Sequence, residues 1–286
     1  MGQTARRTAR RRSLGDALKQ ARIAAGVSQE DAASAIHGDK SKVSRIEGGA
    51  AKVSRLELET LMDLFRIADE ATRKRLVARS TEGRRRSWWH RHGLKPEFVE
   101  TLTVESDAER IQTFQTRVIP GLLQIPSYAS VVIRFADPSL TDEEVDHYTD
   151  VRIERQDVLE KADNLGYLCV ISEGVLHQQV GGAQVMAEQL HHLAELAQRP
   201  NITIRVIPFD QKNFAGATGS FHLYTYPEPM DLDVVLVEHL TGTLCMHEDE
   251  TIQKYQAEMD SLQALALPSQ QSIDLIRSIA QKLAAE

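Results

Sequence analysis

Between Leu14 and Glu47, apolar residues at helical spacing are broken twice by turn chemistry, and this pattern most constrains the fold. Leu14, Leu18, Ala21 and Ile23–Ala25 line one face of a first helix over about 14–25, and Gly26 supplies the residue that ends it. Ser28 has the chemistry of an N-cap for a second, short helix at about 29–36. Gln29, Glu30 and Asp31 stand in its first turn, where negative character suits the helix dipole, and Ala32, Ala33 and Ile36 turn inward. His37-Gly38-Asp39 is a tight connection in which Gly38 is the residue free to take positive φ. A third helix, Lys40 to Glu47, then carries Val43 and Ile46 inward. Ser54 and Glu57 have capping-box spacing and open a fourth helix with Leu58, Leu61, Met62 and Phe65 inside. A fifth, basic helix covers about 69–79. Helices this short are marginal alone, so they must share one core.

Net charge is -7, but its distribution is lopsided. Residues 1–92 carry 21 Lys and Arg against 11 Asp and Glu; residues 93–286 carry 13 against 30. The first part suits approach to phosphate and the second would be repelled by it. MGQTARRTARRR holds five arginines and no large apolar residue, so residues 1–13 read as a flexible basic arm, either solvated or laid along a DNA minor groove. No window approaches the run of about 18 apolar residues needed to span a membrane, and no apolar stretch follows the arginines as in a signal peptide. The expectation is a cytoplasmic protein without membrane contact. Cys169 and Cys245 are too few for a disulfide framework and lack partners at zinc-site spacing, so free thiols and no metal are expected.

Three short helices with a tight turn between the second and third describe a helix-turn-helix. The segment LKQARIAAGVSQEDAASAIHGDKSKVSRIEGG contains R-x3-G-x-S-Q-E-x2-A followed by S-x-V-S-R-I-E-x-G. Over about residues 14–67 the chain resembles the xenobiotic-response-element or phage-repressor family of DNA-binding regulators. Lys40, Ser41, Ser44 and Arg45, on the outward side of the third helix, are the candidate base readers. Arg45 has the fork geometry for guanine O6 and N7. Gln29, Lys42, Lys52 and Arg55 are candidate phosphate contacts, with Gln29 offering its amide at the start of the second helix. The resemblance further implies an ion pair between Arg22 and Glu47 that ties the first helix to the end of the third.

The five-helix domain is expected over 14–80 and a linker over 81–96, TEGRRRSWWHRHGLKP. Trp88 and Trp89 within it suit docking against the following domain better than stacking on a base. Residues 97–286 read as an α+β or α/β domain with a small sheet and flanking helices. Helices are expected at 107–116, 126–135, 141–161, 183–198, 249–265 and 269–284, and strands at Tyr167–Ile171, Ile202–Pro208, Ser220–Tyr226 and Val234–Glu238. VIPGLLQIPSYAS, VRIERQDVL, ISEGVLHQQVGG, EQLHHLAELAQRPNITIRVIPF and GSFHLYTY resemble a domain of unknown function in actinobacterial regulators, including the WhiJ type, over about 98–280. That resemblance implies association with a small partner protein, as in antitoxins, and brings no catalytic set.

Glu173, His177, His222, Glu238 and His239 fall near strand ends without motif-grade spacing, and adjacent His191 and His192 diverge by about 100° on a helix. Neither an enzyme nor a cofactor is expected. Pro120-Gly121, Ile125-Pro126, Arg152, Arg155 and Gln156 stand out instead. The arginines form either a salt-bridged seam with Glu154 and Asp157 or a seat for an acidic ligand group. The sequence reading is thus a DNA-binding regulator. It is expected to be a homodimer, because one short helix reads few base pairs. The C-terminal domain would serve dimerisation, effector sensing or a protein partner. The alternative is an antitoxin-like protein that sequesters a small partner and regulates its own gene.

Overall fold

A computed structural model describes residues 9–80, 89, 92–94, 96–106, 108–160, 165–212, 219–226, 233–239 and 242–285. The chain forms two compact units. One holds residues 1–107 with 225–234 and 245–247; the other holds 108–224, 235–244 and 248–286.

The first unit opens with α1 (Ala9–Ala24), α2 (Gln29–Ala35), α3 (Lys40–Glu47), α4 (Arg55–Leu64) and α5 (Glu70–Ser80), followed by α6 (Pro96–Ser106). Helix α1 starts five residues before Leu14, so the end of the stretch read as an arm is helical; residues 1–8 lie outside the described set. Leu14, Leu18, Val43, Ile46, Leu58, Leu61 and Met62 are buried in one cluster. Ile23, expected in the apolar stripe, is 55% exposed. It sits five residues past Leu18, about 140° around the helix, on the solvent side.

Four helix ends close with one device. After α1, Gly26 has φ 68° and Val27 N donates to Arg22 O at 3.1 Å; after α3, Gly49 has φ 67° and Ala50 N donates to Arg45 O at 2.7 Å. The same six-residue closure ends α2, where Gly38 N donates to Ala33 O at 2.9 Å, and α4, where Ile67 N donates to Met62 O at 2.9 Å. In these two the left-handed residue is His37 (φ 50°) and Arg66 (φ 57°). The positive φ expected at Gly38 therefore falls one residue earlier, because the closing bond requires the left-handed residue to precede its donor. His37→Gly relieves a side chain of that conformation, and the expected result in chemical denaturation is a gain of up to about 1 kcal/mol.

At their starts, Ser28 and Ser54 make complete capping boxes with Asp31 and Glu57, and the Asp39 carboxylate accepts from Lys42 N at 2.6 Å to cap α3. Trp89 is buried; Trp88 and most of the 81–96 linker lie outside the described residues.

Most of the second unit is built on a six-stranded sheet: β1 (Arg110–Gln115), β2 (Gly166–Ser172), β3 (Ile202–Ile207), β4 (Phe221–Thr225), β5 (Val234–His239) and β6 (Gly242–Met246), in the order β3-β2-β1-β4-β5-β6; β4, β5 and β6 have terminal residues in the first unit. Strands β1, β2 and β3 are parallel, with Thr113 opposite Cys169 and Cys169 opposite Ile204. The crossovers carry α7 (Pro126–Ala136), α8 (Asp142–Glu154), α9 (Glu173–His177) and α10 (Ala183–Leu196), and α11 (Asp249–Leu265) and α12 (Ser269–Leu283) follow the sheet. Helices α10 and α12 pack along each other.

Two expectations need correction. Residues 107–116 contain the central strand β1, not a helix. Past the exposed Arg110, Ile111 to Gln115 are buried on both faces between β2 and β4, so apolar and polar residues carry no solvent-facing alternation to reveal the strand. The long helix expected over 141–161 ends at Glu154, and Arg155–Glu160 tightens to a 3-10 turn that brings Gln156 to the carbonyls of Gly121 and Gln124. Cys169 is a buried thiol, and burial pushes its pKa up. Among the described residues, no helix is long and apolar enough to cross a membrane, and no three His, Cys, Asp or Glu side chains group to hold a metal ion.

Candidate nucleic-acid interface

What positions α3 is a buried carboxylate. Glu47, 5% exposed at the end of α3, accepts from Arg22 Nε at 2.5 Å, Arg22 Nη2 at 3.1 Å and Gln29 Nε2 at 2.8 Å. Arg22 Nη1 donates in addition to Val27 O at 2.9 Å. One network thus joins α1, the turn after it, α2 and α3, and the bond to Glu47 raises the Arg22 pKa above its ordinary value. Gln29 is consequently committed through Nε2 to this lock, which the sequence reading did not anticipate; its candidacy for a phosphate rests on the rest of its amide and on its backbone.

Along α3, Val43, Ile46 and Glu47 are buried, whereas Lys40, Ser41, Ser44 and Arg45 are exposed. At ~100° per residue these four cover about 140° of the outer face, a width one helix can present to a groove. Lys42 lies at the flank of that face. Its ammonium bonds the Glu57 carboxylate, which it holds below the usual carboxylate range, with burial opposing. Lys40 pairs with Glu30 at 2.6 Å between exposed side chains, and Arg55 with Glu59 at 2.9 Å; Lys52 is exposed in the loop before α4. Exposed pairs of this kind are worth at most about 1 kcal/mol, so a phosphate can displace the carboxylate at little cost. Acidic partners thus hold Lys40, Lys42 and Arg55 while the face is unoccupied. Because the Glu57 pKa is depressed by folding, its contribution to stability is present at neutral pH and lost as pH falls through the acidic carboxylate range.

Sequence reasoning missed two residues that shape this face. Asp39 caps α3 by accepting from the backbone N–H of Lys42, which fixes where the helix starts; an Asp just before the helix was the available signal. Gly15 allows α1 to approach the end of α3. A Cβ at that position would lie 2.5 Å from the carbonyl oxygens of both Ile46 and Glu47, and no local pattern signals that contact.

In the second unit, His177 lies 3.3 Å from Glu173 and stacks on Phe209, while His222 contacts Gln115 at 3.2 Å and stacks on Tyr224. His177 and His222, two of the three histidines of the weighed enzyme set, are thus engaged with their own neighbours. Burial lowers the His192 pKa.

Residues 13–76 match a family model described as a helix-turn-helix domain, which makes this chain a DNA-binding regulator by its N-terminal part. Residues 98–278, more than half of the chain, match the model of a domain of unknown function, DUF5753. No curated protein matches the chain, and no solved structure does.

Proposed function

The chain belongs to the family defined by the domain of unknown function DUF5753, here preceded by a helix-turn-helix domain, and on that premise we propose a sequence-specific transcriptional regulator whose α3 enters the major groove. The observation that carries this reading is the face of α3: Lys40, Ser41, Ser44 and Arg45 point outward together from a helix locked at its far end by Glu47. Arg45 reads a base; Lys42, Lys52, Arg55 and the exposed part of Gln29 meet phosphates. A homodimer follows from the shortness of one recognition helix, and the C-terminal domain supplies dimerisation, sensing of a small molecule or protein partner, or both. The reading is one of binding and not of catalysis.

Selection of bound fragments from a random duplex library at near-physiological salt tests it. Enrichment of a motif with two-fold symmetry is the expected result; failure to enrich any sequence overturns it and favours an antitoxin-like interaction protein. On the selected site, Arg45→Ala costs about 1–3 kcal/mol and relaxes preference at one base pair. Lys42→Ala weakens all sequences alike and lowers the salt slope by about one unit. Equal losses on specific and random DNA for both variants would refute the division of roles.

A further inference from the structure

Helix α1 is held from the far end of the chain. Asp16 follows Gly15, the residue whose missing side chain lets α1 meet the carbonyls of Ile46 and Glu47. Its carboxylate lies 2.7 Å from Nε2 of His247, a residue 231 positions later. Because an ionised carboxylate can only accept, Nε2 carries the proton and donates it. The two partners differ in environment: the imidazole is 9% exposed and the carboxylate 56%. His247 is thus held in place by its surroundings, and Asp16 is the surface group that it grips.

The neighbours of His247 in the chain give this contact its meaning. The residue follows β6 directly, and one residue separates it from α11. Strand β6 is divided by its packing. Residues 242–244 belong to the second unit, Cys245–His247 to the first, and from Glu248 the chain is again in the second. With a strand ending at Met246 and a helix starting at Asp249, His247 has no slack on either side. It shifts only if the end of β6 or the start of α11 shifts with it.

On α1, one residue turns the helix by about 100°, so Asp16 projects from the flank of the side that Gly15 turns to α3. The same helix grips the end of α3 twice, through Gly15 against Ile46 O and Glu47 O and through Arg22 on the Glu47 carboxylate. A rigid helix held at Asp16 therefore sets the position of both contacts, and these seat the helix that carries Ser44 and Arg45.

We propose that His247 is a positioning residue for DNA recognition: by holding Asp16 it fixes the seat of α1 against α3, and it makes specific affinity depend on the corner where β6 passes into α11. The inference rests on α3 as the recognition helix and names how the C-terminal part of the chain regulates it. A ligand or partner that moves this corner changes DNA affinity without touching DNA.

Anisotropy titration of the full chain, on the selected site and on a random duplex, tests it. His247→Ala and Asp16→Asn should each lower specific affinity about fivefold, and the double variant should lose no more than either alone. Binding to random duplex should not fall, because it rests on phosphate charge in a tolerant geometry. The sign for Asp16→Asn is diagnostic: removing a negative charge from a DNA-binding module tightens all DNA by charge alone, so a loss reports position. His247→Gln keeps an N–H donor at similar reach and should recover most of the loss. Asp16→Asn carries the test should His247→Ala fold poorly, with circular dichroism as the check. Amide hydrogen exchange without DNA reads the contact independently. His247→Ala should speed exchange at Gly49 and Ala50, whose N–H groups close α3 on Ile46 O and Arg45 O. Specific affinity equal to that of the original chain in both single variants, additive losses, equal losses on specific and random DNA, or unchanged exchange at the end of α3 each overturn the proposal. A library selection that enriches no motif overturns the recognition reading instead, and exchange still decides whether His247 holds α1.

Discussion

Gly15→Ala destabilises the helix-turn-helix domain by about 2 kcal/mol or more, although local propensity points the other way. In an exposed helix interior the exchange gains about 1 kcal/mol. Here the added methyl would sit 2.5 Å from Ile46 O and Glu47 O, backbone atoms that no rotamer change can move. Overpacking costs about 1–3 kcal/mol where side chains can adjust. Against two fixed carbonyls, α1 must instead shift away from α3, loosening Leu14 and Leu18 from Val43 and Ile46. Urea unfolding of the two proteins reads the difference directly. A melting curve equal to or above that of the original chain would show that α1 does not pack this closely.

The second large effect belongs to the lock at the end of α3. Arg22→Ala leaves Glu47, 5% exposed, with Gln29 as its sole remaining donor in the network. Removing one member of a buried pair costs about 3–5 kcal/mol, because the surviving charge keeps its desolvation penalty and loses its compensation. That is a large share of the ~5–15 kcal/mol by which a domain is usually stable, so specific DNA binding should fall with the folded fraction. Replacing both members, Arg22→Met with Glu47→Leu, removes the orphaned charge and should recover a large part of the loss. A thermodynamic cycle over the two single variants and the double variant measures this coupling. Additive losses, or a loss below about 1 kcal/mol for Arg22→Ala, would mean that the pair behaves as an exposed one.

Much of the helix-turn-helix domain was legible because its determinants are local. Ser28 and Ser54 cap their helices within three residues, and Gly26 marks the end of α1 because glycine tolerates its positive φ without penalty. His37 and Arg66 perform the same closure but carry no glycine to announce it, and the tight turn was accordingly assigned to Gly38. The outward set on α3 followed from helical period alone. The pairing of Lys42 with Glu57 did not, since it joins residues on different helices. Strand β1 shows the same limit in the sheet, where burial on both faces erased the alternation that makes a half-buried strand recognisable.

By itself, then, the sequence determined where α1 ends and where α2, α3 and α4 begin, which side of α3 faces outward, and that a basic module precedes an acidic one. Caps, periods and charge runs are interactions within about four residues of the chain, and their consequences can be read in order. Only the tertiary structure decided that Gly15 must lack a side chain, that residues 110–115 form the centre of a sheet, and that His247 meets Asp16. Each of these depends on groups brought together from about 30 or more residues apart, where what excludes or demands a residue is the space and charge left by distant neighbours and not any local preference.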